Sequence, residues 1–349
     1  MSRLTPTEAL KLLRESPLLE LGQKAYEVKK QLHPDNITTF IVDRNINYTN
    51  ICIAGCKFCA FKRGLHDEDA YVLDLEVISQ KIEELIAIGG TQILFQGGVH
   101  PKLKIDYYEE LVEFIHTKFP SITIHGFSAS EIAFIAKVSE LAIPQVLQRL
   151  QAKGLSSIPG AGAEILADRV RNIISPNKQD TAGWLEVHRE AHKIDMKTTA
   201  TMMFGSVETD EEIIEHLEHL RTLQDETGGF RAFILWSFQP DNTPLFSEYP
   251  NITKATSNRY LRILALSRLY LDNFKNIQSS WVTQGSHIGQ SALFFGANDM
   301  GSTMMEENVV AAAGAANTMA ENEIVRLIQD AGEIAAKRNT AYQILKVYE

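Results

Sequence analysis

The sequence predicts an α/β protein: a (β/α)8 TIM-type barrel with helical N- and C-terminal extensions. Short apolar or β-branched runs alternate with amphipathic stretches, the pattern of parallel βαβ units. Eight such runs can be placed, and eight units fill the roughly 250 residues that a closed barrel takes. No internal repeat, low-complexity tract or linker breaks the series, so residues 1–349 read as one domain.

In chain order, residues 1–36 are expected to be helical. Thr5, Pro6 and Glu8 read as an N-cap, a proline at the first helical position and the glutamate of a capping box. Apolar residues at Leu10, Leu13, Leu18, Leu21, Ala25, Val28 and Leu32 then mark one or two amphipathic helices ending near Pro34. The barrel occupies 37–305, with strands expected at 39–48, 92–96, 122–127, 154–158, 198–204, 232–238, 277–282 and 292–295. Helices are expected at 76–88, 107–118, 163–174 and 211–226. The last two strand runs carry the weakest pattern, which leaves a six-unit partial barrel with an irregular end as the alternative. Residues 306–349 are rich in Ala, Glu and Lys and read as C-terminal helices.

With 349 residues, 44% of them hydrophobic, the chain can build a substantial core. A formal charge of −10 argues against a nucleic-acid backbone or an anionic membrane surface as partner. No apolar run approaches the roughly 20 residues that span a bilayer, and the N-terminus lacks the apolar stretch of a secretion signal. An odd number of cysteines without a disulfide framework fits a reducing compartment. The expectation is a cytoplasmic protein.

The chemistry is concentrated just after the first strand. All three cysteines, Cys52, Cys56 and Cys59, lie in one C-x-x-x-C-x-x-C run, and Phe58 precedes the last. Three thiolates on one short loop can hold three irons of a cubane iron–sulfur cluster and leave the fourth open to a small molecule. A structural zinc site completed by His66 or His100 is the alternative, although such sites usually take two separated cysteine pairs. The C-terminal end of a strand is also the face on which barrel active sites form.

Other strand ends add candidates, each with a plainer reading beside it. Gln96, Gly97 and Gly98 end the second strand, where missing side chains let the backbone approach a ligand; βα turns often use glycine in any case. Ser128 and Glu131 follow the third strand as a helix-capping pair within reach of a bound ligand. Residues 159–164 form a glycine-containing turn into a helix, a place for an anion. Glu164 there can accept from sugar hydroxyls or simply complement the helix dipole. Asn298 and Asp299 follow the eighth strand with short polar groups, for which a turn is the usual use. Phe58, like Trp236 and Trp281, serves packing by default.

Together these stretches resemble a known family. The cysteine run with its aromatic, followed by Gly97 and Gly98, is similar to radical S-adenosylmethionine (SAM) enzymes. Residues 43–50, 96–98, 159–166, 199–205, 224–230 and 296–307 resemble the radical SAM group of the futalosine route to menaquinone. Residues 236–240 and 280–285 resemble its cyclising branch, while Ala161 departs from the pattern where glycine is expected. The resemblance implies a [4Fe–4S] cluster on Cys52, Cys56 and Cys59, and SAM held by Phe58, Gln96, Gly97, Gly98, Ser128 and Glu164. It also implies dehypoxanthine futalosine as the small-molecule substrate. On that resemblance a 5′-deoxyadenosyl radical would take the sugar C4′ hydrogen, and the carbon radical would add to the substrate's benzoate ring. Loss of a proton and an electron restores aromaticity, with Tyr48, His125 and Asp299 as candidate proton acceptors. The implied electron donor is a flavodoxin or ferredoxin. Aminofutalosine synthesis and deazaflavin-cofactor synthesis are the near alternatives, and a non-catalytic zinc-binding scaffold the distant one. No arginine stands out in the sequence as a partner for the benzoate carboxylate.

Overall fold

A computed structural model describes residues 3–314 and 317–348. Its centre is a ring of parallel strands. β1 (Ile37–Ile41) and β2 (Asp43–Ile46) follow one another with only Val42 between them and serve as one barrel strand. β2 pairs with β3 (Gln92–Phe95), β3 with β4 (Thr123–Gly126) and β4 with β5 (Leu155–Ser157), all in parallel. A bridge between Ile158 and Thr198 joins β5 to β6 (Thr198–Phe204). β7 (Phe230–Ser237), β8 (Asn276–Gln278) and β9 (Asp299–Ser302) continue the ring, and β9 returns to β1 at Thr39 and Ile41. Counting β1 with β2, eight strands close the expected barrel, and the six-unit alternative falls away.

Side chains alternate across the barrel wall, as strand geometry demands. Ile46, Ile93, Phe95 and Ile124 point outward and are fully buried beneath the helices. Those helices bury one face each, at three- and four-residue spacing: Ile78, Ile82 and Leu85 on Leu75–Ala87; Leu111, Val112 and Ile115 on Ile105–Lys118. The inward positions are Asp43, Asn45, Gln92, Leu94, His125 and Ser157. Barrel interiors are usually filled by large branched side chains. Here mostly small or polar ones line a cavity of about 400 Å³ that reaches the cysteine loop.

At the N-terminus the two helices are present, Pro6–Glu15 and Leu18–Leu32, and Thr5 and Glu8 close the capping box. Elsewhere tertiary contacts override the local pattern. Residues 292–295, expected as the eighth strand, form a 3-10 turn (Ala292–Phe295) whose Phe295 ring presses on Gly22 of the second helix. Their apolar character serves that packing, and the eighth barrel strand is β9. The helix expected at 163–174 spans only Asp168–Ile174, because Glu164 takes a left-handed backbone, φ 44°. The strand expected at 277–282 stops at Gln278 and turns into a short helix, Trp281–Gln284.

The C-terminal helices expected at 306–349 are only partly present, as Val309–Ala312 and Glu321–Asp330. Residues 315–316 and 349, like 1–2 at the other end, lie outside the described residues. β10 (Ile334–Arg338) and β11 (Ile344–Tyr348) follow as a hairpin, with β10 parallel to β1 from Ile37 to Phe40. An open edge on β1 supplies backbone partners that outweigh the weak helical preference of the segment. A buried ion pair, Lys29–Glu333 at 2.6 Å, ties this hairpin to the second N-terminal helix.

Candidate active site

The cysteine loop is pinned to the barrel by its backbone. Cys52 N donates to Arg63 O (2.9 Å), Ile53 N to Val99 O (3.0 Å) and Lys57 N to Ile174 O (2.8 Å). Cys52, Cys56 and Cys59 are free thiols that line one end of the cavity together. Burial pushes the Cys56 thiol up to about 12 and raises that of Cys59, whose sulfur receives the Lys62 and Phe61 amides. Among the described residues no three His, Cys, Asp or Glu side chains are grouped as ligands of a single metal ion. His66 is exposed, and His100 turns Nδ1 to the Lys102 amide (3.2 Å). Three unpaired thiols at the mouth of a ligand-sized cavity suit a larger, anionic cluster better than one ion.

Lys178, which the sequence did not single out, lies beside them. Its ammonium bonds Glu164 Oε1 (3.0 Å) and sits 5.3 Å from the centre of the Phe58 ring. Burial alone depresses its pKa, but Cys56 and Glu164 more than offset that, so the group stays charged. A fixed cation next to three cysteines complements a cluster's negative charge.

Gly97 and Gly98 are glycines for a packing reason. A β-carbon on Gly98 would lie 2.1 Å from Ile51 O and 2.9 Å from the Cys52 Cβ; one on Gly97 would lie 2.5 Å from the Tyr48 ring. Their amides are committed, Gly97 N to Glu131 Oε1 (3.0 Å) and Gly98 N to Thr49 O (2.8 Å). Gln96, Gly97 and Gly98 all face the cavity, next to the cysteines. Ser128 and Glu131 form the expected capping box while also lining it.

Glu164 has the features of a ligand-binding carboxylate. It is 5% exposed and lines the cavity, and its Oε2 has no hydrogen-bond partner, although the Arg171 guanidinium lies 3.9 Å away. Ser130 Oγ nearby is also buried without a partner. Buried orphans of this kind are costly unless a ligand completes them. The two oxygens without hydrogen bonds and the glycine-backed cradle beside the thiols therefore fit a nucleoside bound next to a cluster.

Of the three candidate proton acceptors, only His125 lines the cavity. Tyr48 is fully buried among Phe95, Tyr108 and Phe127, donates to Glu131 Oε1 (2.7 Å), and does not reach the cavity. Asp299 is fully buried in an ion pair with Arg338 (2.5 Å), accepts from Thr39, and is withdrawn from the cavity wall. His125 bonds Ser157 Oγ (2.6 Å) and is held down to about 3, by burial first and then by Arg231 and Arg338. Asp43, at the first position of β2, does face the cavity, as do Glu131, Glu164 and Glu307. Asp43 accepts from Gln92 Nε2 (2.8 Å) and from Ser302, and burial lifts it to about 6. Nothing in the sequence separates Asp43 from other strand-start acids; only its inward register does.

This site and fold define the class. Residues 46–220 match the radical SAM superfamily, to which the chain belongs, and it is an enzyme that uses a [4Fe–4S] cluster and SAM. Residues 227–349 match the CofH/MqnC C-terminal region. The chain is 45% identical over 347 residues to a cyclic dehypoxanthine futalosine synthase of Halalkalibacterium halodurans, covering 99% of this chain and 93% of that one. It is 38% identical to an aminodeoxyfutalosine synthase of Thermus thermophilus, covering 99% and 94%. The [FeFe]-hydrogenase maturase HydG of Carboxydothermus hydrogenoformans shares the fold, with TM-score 0.75 at 18% identity over 97% of this chain and 77% of that one. Among the described residues no helix is long and apolar enough to cross a membrane.

Proposed function

We propose that this enzyme cyclises dehypoxanthine futalosine in menaquinone synthesis, joining sugar C4′ to the substrate's own benzoate ring. The observation that carries the reading is the near-full-length likeness to the Halalkalibacterium synthase, higher than that to the aminodeoxyfutalosine synthase. Held by Cys52, Cys56 and Cys59, the cluster supplies the reductive cleavage of SAM. The chain's own residues do the remaining work. Gln96, Gly97 and Gly98 border the methionine end of SAM, and Phe58 packs by its adenine. Glu164 Oε2 accepts from the ribose hydroxyls, with Ser128 and Ser130 alongside. Met304, Val309 and Val310 line the cavity and keep water from the reacting carbons. Asp43 accepts the ring proton that restores aromaticity, its pKa near the operating pH as a general base requires. His125 stays neutral and braces the ring from the wall. The reading includes a single domain over 1–349, a cytoplasmic location, and a flavodoxin or ferredoxin as electron donor.

The test is anaerobic turnover of reconstituted protein with SAM, a reductant and dehypoxanthine futalosine, read by mass spectrometry. The expected product is lighter than the substrate by two hydrogens and appears with free 5′-deoxyadenosine. A covalent adenosyl adduct with an enolpyruvyl substrate instead would assign the aminofutalosine activity.

A further inference from the structure

Away from the cysteines, the cavity holds a cation that no ion pair among the described residues neutralises. Arg231 is the second residue of β7, at the end of that strand opposite the one on which the cysteine loop follows β2. Its guanidinium lines the cavity and makes no hydrogen bond or ion pair among the described residues. Of the two groups that act on it, the carboxylate, Asp195, is already paired with Lys197 at 3.1 Å, and the other is the Tyr342 phenol. A half-buried, unpaired guanidinium works against stability unless a ligand answers it.

Two more donors from the turn between β10 and β11 face the same cavity. Thr340 is 8% exposed and its Oγ1 has no partner. The Tyr342 hydroxyl makes no hydrogen bond among the described residues, and its ring is held 3.9 Å from the Arg338 guanidinium. Arg338 itself is neutralised by Asp299, which leaves Arg231 as the uncompensated charge. Ile234 and Trp236 follow Arg231 on the inner face of β7, an apolar wall leading away from the cation.

We propose that Arg231, Thr340 and Tyr342 form an anion subsite for the carboxylate of an aromatic acid, the benzoate end of the substrate. One guanidinium with two hydroxyls suits a planar monoanion, since a fork of N–H donors matches a carboxylate's two oxygens. Seated there, the ring lies along Ile234 and Trp236 and the sugar points toward the cysteine end, where its C4′ hydrogen must leave. The identity of the acid rests on the function proposed above; the carboxylate chemistry does not.

Benzoate and benzamide are titrated against the apoprotein, and KM for dehypoxanthine futalosine is measured on the loaded enzyme. Wild-type protein should prefer benzoate to benzamide. Arg231→Met should weaken benzoate binding and raise KM by about 10- to 100-fold, the worth of a hydrogen bond to a charged group. Arg231→Lys should recover part of the loss, and Thr340→Val should show a smaller one. The SAM dissociation constant should not move. Wild-type protein without the benzoate preference, or Arg231→Met binding benzoate as wild type does, overturns the subsite. Turnover with an unmoved KM in Arg231→Met also removes it while leaving the proposed function standing. Arg231-dependent benzoate binding without turnover keeps the subsite and removes the substrate assignment.

Discussion

At the cysteine end of the cavity, the three thiols come from one short loop, Cys52 to Cys59, with a glycine pair pressed against it. At the other end the groups come from Asp43 on β2, His125 on β4, Arg231 on β7 and the turn after β10. The three thiols are sequence neighbours held by backbone hydrogen bonds, whereas the groups of the second end meet only when the barrel closes. That contrast matches a division of labour. The cofactor end and His125 fall in the superfamily match at 46–220, while Arg231 and the turn after β10 fall in the C-terminal region at 227–349.

The sharpest way to break the cysteine end is Cys56→Ala. One of three thiolates is lost, so iron content should fall and SAM cleavage should drop to background, as checked by metal analysis and 5′-deoxyadenosine release. Gly98→Ala should be nearly as damaging without touching a ligand. Its added methyl would sit 2.1 Å from Ile51 O, so the loop must shift. Reduced iron retention in otherwise folded protein is the expected result.

The far end gives smaller, separable effects. Arg338→Met strands Asp299 as a buried, unpaired carboxylate and should cost about 3–5 kcal/mol in urea unfolding, with little change in iron content. Arg231→Met, by contrast, should move KM rather than stability. Asp43 predicts a pH effect. Burial raises its pKa to about 6, so it is protonated below that value and free to accept a proton above it. Product formed per 5′-deoxyadenosine should therefore rise as pH climbs through about 6 and then level off. Asp43→Asn should lower the yield and flatten that limb.

The same contrast explains what was legible in the sequence. The cysteine run, Gly97 and Gly98, the Ser128–Glu131 capping box and most barrel strands are local patterns, and local patterns survive without coordinates. The hairpin of β10 and β11 did not, because its strands are stabilised by the open edge of β1 some 300 residues earlier, not by their own propensity. Tyr48 and Asp299 looked available because both stand near strand ends. Their neighbours, Glu131 and Arg338, are distant in sequence and take those groups out of the cavity. Lys178, Asp43 and Arg231 carry no motif, and only register and closure bring them inward.

The most direct test of the account uses dehypoxanthine futalosine carrying deuterium at sugar C4′. Under anaerobic turnover the deuterium should be recovered in 5′-deoxyadenosine, and the cyclised product should lack it. Unlabelled 5′-deoxyadenosine alongside cyclised product that keeps its deuterium would contradict the account, because the hydrogen removed at the start would then not be the one at C4′.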